Sequence, residues 1–415
     1  MTWLIGIIKI IIALGTLVTI HELGHFLVAK ACKIKVHKFA IGFGPKIFKK
    51  QKGETEYTLR LIPFGGFVQL EGEEQRSEDE RAFNNKPVWQ RMLVIVAGAT
   101  VNIIFALIIY YGICMSSNLY VTSTLENVET ESEAYQYGFR EGDKILSING
   151  KKAITQNHVK DAISRSKSDD MTFEVERKGN IIKIDATIPE KQIGVIGVGF
   201  DENTTIAYVQ GNSVAASEGI SIGDKIISIN GQEGLSVSEY VNIIKASPNT
   251  EIDVVVERNG EVLNYTLIPD KNEVRIFDVG YEILSKLNFW ENSYYAIDEA
   301  GYYFNETVRA FATLITGKAE NADVMGPVGI AEQITQTQKW TEFFYLMSAI
   351  SLSLGIFNLL PVPALDGGKF LFLLIEGVRG KPMKEKTEMS WQLIGLTFII
   401  GLAIFVTIKD VVSLF

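Results

Sequence analysis

The chain has 415 residues, 47% of them hydrophobic, and a formal net charge of −9. That length leaves room for several domains, and the acidic balance gives no reason to expect a nucleic-acid partner. Apolar residues crowd into the two ends, while the middle has the charged make-up of a soluble segment.

A helix that crosses a bilayer needs roughly 20 mostly apolar residues. Four stretches qualify: about Trp3 to Val28, Met92 to Met115, Phe343 to Leu360 and Trp391 to Ile408. The first is read as a retained helix rather than a signal peptide, because Lys9 is its only early basic residue and no clear cleavage site follows. Between the first two stretches lie Lys30, Lys33, Lys35, Lys38, Lys46, Lys49, Lys50, Lys52 and Arg60, and between the last two lie Arg379, Lys381, Lys384 and Lys386. Short loops rich in Lys and Arg stay in the cytoplasm. Both loops fall on one side only if all four stretches cross, so the N-terminus, the long middle segment and the C-terminus are expected outside. Cys32 and Cys114 then end on opposite faces, and no disulfide joins them. Nor do two cysteines make a Cys-based metal signature.

Within the first inner loop, Tyr57 to Leu70 around Pro63-Phe64-Gly65-Gly66-Phe67 reads as two short strands and a turn. The middle segment, about 118–270, holds an internal repeat. Residues 138–150 read GFREGDKILSING and residues 219–231 read GISIGDKIISING, an offset of 81 that also aligns Glu176-Arg177 with Glu257-Arg258. Each copy reads as a strand closed by an Asn-Gly turn, a short helix and a strand pair, a small β-rich unit. The G-x-x-x-G-D-x-I-x-x-I-N-G core resembles the PDZ domain in its permuted bacterial form. That resemblance implies peptide tails bound by strand addition, with Ile193 to Gly199 as a candidate edge in the second copy. Spacers or steric filters with no ligand are the alternative, since a fold does not fix a function. Residues 285–317 are helical in pattern and aromatic, with Phe289, Trp290, Tyr294, Tyr295, Tyr302, Tyr303, Phe304 and Phe311. They suit either a membrane surface or packing on the neighbouring module.

The sharpest feature is His21-Glu22-Leu23-Gly24-His25 in the first apolar stretch. On a helix, i and i+4 share a face, so two imidazoles there can hold one zinc with the Glu beside it. Ionisable groups in hydrocarbon are costly and mark functional sites. A catalytic zinc site needs a third protein ligand. His37 lies in the basic loop and His158 in the first repeat copy, neither at membrane depth. Asp366 stands out, closing Asn358-Leu359-Leu360-Pro361-Val362-Pro363-Ala364-Leu365-Asp366-Gly367-Gly368, where two prolines and two glycines should unwind the helix. Irregular backbone at membrane depth is tolerated only where it lines a cavity or protein interior. His21 lies ~27 Å along a helix from Trp3, and Asp366 at most ~35 Å from Phe343. Both helices run inward under the charge rule, so the two elements reach a similar depth near the inner face.

Together, H-E-x-G-H, N-x-x-P-x-P-x-L-D-G-G and two PDZ-like modules between them resemble the site-2 protease family of intramembrane zinc metalloproteases, in its bacterial RseP/RasP type. The resemblance implies that His21, His25 and Asp366 bind zinc and that Glu22 is the catalytic base. Gly98 and Asn102 match a G-x-x-x-N motif of the family, although Ala99 stands where many members have Pro. Asn102 and Asn358 are candidates for contacting the substrate backbone, with interhelical hydrogen bonding as the alternative. Tyr57 to Leu70 resembles a membrane-reentrant β-hairpin, so Gly65 and Gly66 are further substrate-contact candidates. Met325-Gly326-Pro327-Val328-Gly329-Ile330 resembles the family's G-P-x-x-I segment, taken as structural.

The expected fold is a polytopic α-helical membrane protein with four transmembrane helices, two inserted extracytoplasmic PDZ-like α+β domains and a membrane-associated β-hairpin. Its divisions are 1–30, the first span; 31–90, the cytoplasmic segment with the hairpin; 91–117, the second span; 118–190 and 191–272, the PDZ-like domains; 273–340, the aromatic helical linker; 341–378, the third span with its Leu-Asp-Gly; and 379–415, the fourth span and tail. The implied partners are the bilayer and transmembrane substrates already trimmed outside, of the anti-sigma-factor or remnant signal-peptide kind. The implied place is a bacterial inner membrane. A metal-ion transporter and an inactive PDZ scaffold are the rival readings, and neither needs both Glu22 and the repeat.

Overall fold

The computed structural model describes residues 2–412 apart from Glu74, Glu202, Asn212, 317–325 and Gln338. The chain divides into two units, Met1–Ser117 with Phe289–Phe415, and Asn118–Asn288. Helix α1 (Thr2–Ala31) is apolar around its circumference and carries Lys30 in its last turn. It ends where Lys33 turns left-handed, at φ 57°.

Strands β1 (Val36–Lys52) and β2 (Thr55–Leu70) follow. Strand structure therefore reaches back to Val36, well before the expected hairpin of 57–70. Lys38, Phe39, Ala40 and Ile41 each pair twice, with Glu56 to Leu59 on one side and Gln69 to Gly66 on the other. Residues 46–52 pair with 55–60. The two long strands thus fold over into four stretches, in the order 66–70, 36–41, 55–60 and 46–52. Their corners are glycine-built. Gly42, at φ +84°, sits so close to the Ile62 carbonyl that a Cβ would overlap it, and Gly65, at φ +102°, lies under the Phe43 ring. Helix α2 (Val88–Ser117) completes the N-terminal half of this unit.

The second unit opens with β3 (Leu119–Asn127), α3 (Glu133–Gln136), β4 (Lys144–Ile148), β5 (Lys151–Lys152), α4 (Gln156–Ser164), β6 (Asp170–Arg177) and β7 (Asn180–Thr187). It continues with β8 (Glu190–Val195), β9 (Val198–Phe200), β10 (Ile206–Val209), α5 (Val214–Ser217), β11 (Lys225–Ile229), β12 (Gln232–Glu233), α6 (Val237–Lys245), β13 (Ile252–Arg258), β14 (Glu261–Leu267), β15 (Asp270–Arg275) and β16 (Gly280–Ser285). The repeat is a repeat of contacts. Asp143 accepts from Arg177 Nε at 2.6 Å and from the Arg140 N–H at 2.9 Å. Asp224 accepts from Arg258 Nε at 2.6 Å and from the Ser221 N–H at 2.8 Å. Burial alone would raise the Asp224 carboxyl, but the Arg258 guanidinium and the Ser221 N–H outweigh it and hold it below the usual carboxylate range. Asn149 and Gly150, and likewise Asn230 and Gly231, both have positive φ, as a type I′ hairpin turn requires.

The two modules are not sequential beads. The first sheet runs β16-β3-β4-β6-β7 with β5 on β4, so its outer strand comes from beyond the second module. Phe277 packs its ring against both Phe139 and Phe173, at 5.0 and 5.5 Å between centroids. Strand β8 leads into the second module and β15 leads back, and the two pair antiparallel about Gln192 and Glu273, which are themselves 81 residues apart. The span 118–190 therefore lacks part of the first module. The missed signal is short: Val198-Gly199-Phe200 recurs as Val279-Gly280-Tyr281 at the same offset.

The first unit resumes with α7 (Phe289–Ile315), α8 (Pro327–Gln336), α9 (Trp340–Asn358), α10 (Asp366–Arg379) and α11 (Glu385–Val412). Met325 of the Gly-Pro segment and the tail 413–415 lie outside the described residues. Helix α7 packs on α2 and α9: Tyr303 stacks on Tyr110 at 4.3 Å, and Asn292 Nδ2 donates to the Met115 carbonyl at 3.0 Å. Small residues let α9 approach α2, where Ser348 Oγ donates to Ala106 O at 3.1 Å and Gly355 lies against Ala99 O. The chain unwinds between Asn358 and Asp366 around Pro361 and Pro363, while Gly367 and Gly368, also expected to unwind it, lie in the first turn of α10. Arg91 of α2 and Glu376 of α10 form a two-pronged ion pair, at 3.1 and 2.6 Å. Among the described residues, four helices are long and apolar enough to cross a membrane: Ile5–Ala31, Val88–Ser117, Trp340–Asn358 and Lys386–Ile408.

Candidate metal centre

One helical turn of α1 places His21 and His25 side by side, and the unwound segment before α10 delivers Asp366 to them. His21 Nε2 and His25 Nε2 are 3.2 Å apart, and each is 3.3 Å from Asp366 Oδ2. The side chains are largely buried, at 14–16% exposure. Oδ2 accepts no aligned hydrogen bond despite those distances. The three potential ligand atoms therefore converge on a common point. Tetrahedral bonds of about 2.0–2.1 Å imply ligand atoms about 3.3 Å apart. The His, His and carboxylate set fits zinc in both atom type and spacing, and leaves a fourth position open.

Helix α2 lines the other side of this cluster. The Val94 carbonyl lies 2.8 Å from His25 Nδ1, so that nitrogen donates and Nε2 is left free to ligate. Gly98 is required by space: a Cβ there would stand 2.4 Å from His25 Nε2 and 2.8 Å from His21 Cε1. Gly24 plays the reciprocal part on α1, where a Cβ would stand 2.5 Å from the Ala97 carbonyl oxygen. Asn102 is fully buried, with Nδ2 3.4 Å from His21 Nδ1.

Glu22 is half-buried on α1. Stretch 66–70 passes directly over it, and a Cβ on Gly66 would stand 3.2 Å from Glu22 Cγ. Gly66 is thus at the centre, while Gly65 serves the corner beneath Phe43. Asn358 is half-buried at the end of α9. His37 pairs with Glu71, and His158 Nδ1 lies 3.0 Å from Thr155 Oγ1, so neither belongs to the cluster. Three features were not legible beforehand: the Val94 carbonyl, the role of Gly98 as clearance for two rings, and an ion pair at 3.0 Å between Lys369, one turn after Asp366, and Glu73.

A profile of the peptidase family M50 matches residues 9–402. This chain belongs to peptidase family M50. The regulator of sigma-E protease RseP of Escherichia coli is 30% identical to this M50 chain over 445 residues, covering 98% of each. The regulator of sigma E protease of Salmonella typhi is 31% identical over 435 residues, covering 95% of this chain and 96% of its own. A Clostridium perfringens protein named as a zinc metalloprotease is 32% identical over 411 residues, covering 98% of each. The M50 chain is a zinc metalloprotease of the site-2 protease kind.

Proposed function

We propose that this M50 peptidase hydrolyses peptide bonds within transmembrane segments of other membrane proteins, with His21, His25 and Asp366 holding zinc and Glu22 as the general base. The observation that carries the reading is the convergence of His21 Nε2, His25 Nε2 and Asp366 Oδ2 within 3.3 Å, the histidines on a helix apolar enough to span a bilayer and Asp366 at the head of α10, eight residues after the end of another. Zinc supplies Lewis acidity, which lowers the pKa of water and polarises a peptide carbonyl. Glu22 accepts the proton of the attacking water and returns it to the leaving amine. The low-dielectric surroundings strengthen each of these interactions.

A helix hides its carbonyls in its own hydrogen bonds, so a transmembrane substrate has to unwind before it is cut. Stretch 66–70 is an outer stretch of its sheet and crosses Glu22 at Gly66, which suits it to receive the unwound strand. Gly65 and Asn358 are further contacts for that strand. The centre lies near the cytoplasmic face of a bacterial inner membrane, and the PDZ-like modules lie outside it. There they admit substrates whose outer domains have been trimmed, of the anti-sigma-factor or remnant signal-peptide kind, or take peptide tails.

The test compares the purified wild type with Glu22→Gln for zinc content and for cleavage of a single-pass membrane peptide. Zinc in both, with cleavage reduced at least about 10³-fold in the variant, is expected for loss of a general base. Equal cleavage by the two would sink the mechanism, and zinc flux without cleavage would favour a transporter.

A further inference from the structure

The family resemblance makes Asn102 a candidate contact for the substrate backbone. Its surroundings point elsewhere. The residue is 0% exposed, and its carboxamide nitrogen lies 3.4 Å from His21 Nδ1. Its Oδ1 is buried without a partner. Its own backbone carbonyl accepts from Ser351 Oγ of α9 at 2.9 Å, which ties this turn of α2 in place.

A neutral imidazole that offers Nε2 to a metal carries its proton on Nδ1. An Nδ1–H facing an amide NH2 sets donor against donor, while the amide oxygen sits orphaned in the interior. Turning the carboxamide over, an assignment that the hydrogen-bond network decides, removes both faults. Oδ1 then accepts from His21 Nδ1–H. His25 already has this arrangement, with the Val94 carbonyl 2.8 Å from its Nδ1.

The spacing explains why one helix can do this for both rings. Val94, Gly98 and Asn102 recur every four residues and so form one stripe of α2. His25 meets the stripe at Val94 and His21 meets it at Asn102, with Gly98 clearing space for both rings between them.

Given that His21 is a ligand, as proposed above, we infer that Asn102 is a positioning residue: its carboxamide oxygen holds His21 with Nε2 toward the metal, doing by side chain what Val94 does for His25 by backbone. The pair Gly98-x-x-x-Asn102 is then an orienting surface for the ligands and not a substrate subsite.

The test uses the full chain purified as wild type, Asn102→Leu, Asn102→Ala, Asn102→Asp and His21→Ala. Zinc affinity is read by chelator competition, and the ligand field by the visible spectrum of the cobalt-loaded protein. The Leu and Ala variants should lose about 10- to 100-fold in zinc affinity, as outer partners of metal-bound histidines do, with an altered cobalt spectrum. Asn102→Asp keeps an acceptor and should restore affinity to within a few-fold of wild type. On a membrane peptide, zinc-saturated Asn102→Ala should keep its KM and lose in kcat. Unchanged zinc affinity with a raised KM in the Leu and Ala variants would overturn the inference in favour of a substrate contact. Equal loss in Ala and Asp would overturn it in favour of a packing role. Wild-type affinity in His21→Ala would strike at the ligand reading itself, separately from Asn102.

Discussion

Both units of the chain bury carboxylates, and they treat them in opposite ways. In the modules Asp143 and Asp224 have fully buried side chains. Each receives two donors from one arginine and one from a backbone N–H. In the other unit, Asp366 faces two imidazole nitrogens, and its Oδ2 has no aligned donor. A buried charge without a full set of partners costs several kcal/mol. The completed pairs offset that cost themselves and stabilise a fold. The incomplete cluster leaves the cost standing until a ligand arrives, which is how a binding site differs from a structural ion pair.

The sharpest way to break that comparison is to remove one carboxylate of each kind. Asp366→Ala should reduce zinc affinity by more than about 100-fold, since it takes away one of three ligands. The melting temperature of the metal-free protein should hold or rise, because a buried carboxylate without a full set of partners is removed. Asp224→Ala should do the reverse, with zinc affinity unchanged and the second module unfolded more readily. Metal analysis beside thermal melts in detergent reads both. A large fall in metal-free stability for Asp366→Ala would mean that the cluster is structural after all.

The next effect concerns the exchange of strands between the modules. Phe277 follows the second module in sequence and packs in the core of the first. Phe277→Ala should cost about 3 kcal/mol, the lower end for a buried Phe because this ring is only partly buried. Hydrogen exchange should show the loss in β4 and β6 of the first module, about 130 and 100 residues upstream, with β11 and β13 protected as before. Loss confined to the second module would contradict the exchange.

How much of this was legible depended on the distance over which the physics acts. His21-Glu22-x-x-His25 declares itself because one helical turn suffices to join the pair. Asp366 was found because Pro361 and Pro363 interrupt the helix just before it, although Gly367 and Gly368, expected to unwind it too, lie in the first turn of α10. The repeat stood out because the Asp–Arg pair and the Asn-Gly turn recur in the same places. The role of β16 was hidden because its kinship with β9 rests on three residues. The folded-over sheet was hidden too, since Val36 to Lys52 mixes basic, aromatic and glycine residues without a clean alternation. The packing of α7 on α2 and the Lys369–Glu73 pair are tertiary facts, the latter between residues 296 apart.

A smaller effect should follow from pH. The folded Asp224 carboxyl is held below its ordinary range, so its pair contributes fully above the unfolded value of about 4. That contribution is lost as pH falls through the folded value. Asp224→Asn removes the charge at every pH. Breaking the pair at neutral pH should cost near the lower end of the ~3–5 kcal/mol typical of buried pairs, because Arg258 is 33% exposed. Denaturation of the 118–288 unit between pH 7 and pH 3 should show the wild type converging on the variant as the solution acidifies. A gap that stays constant would assign the cost to lost hydrogen bonds rather than to charge.

The smallest effect separates the two copies from each other. Helix α6 begins with a full capping box, in which Ser236 Oγ accepts from the Glu239 N–H at 3.4 Å and Glu239 accepts from the Ser236 N–H at 2.8 Å. The corresponding Thr155 at α4 makes no such cap, and its hydroxyl meets His158 instead. Ser236→Ala should therefore cost about 1 kcal/mol, the usual worth of a cap. Thr155→Ala lacks that mechanism and should cost less unless its contact with His158 matters. Urea midpoints of the two variants decide it. Equal losses would show that the copies share more than their cores, and that the cap adds nothing the rest of α6 does not already secure.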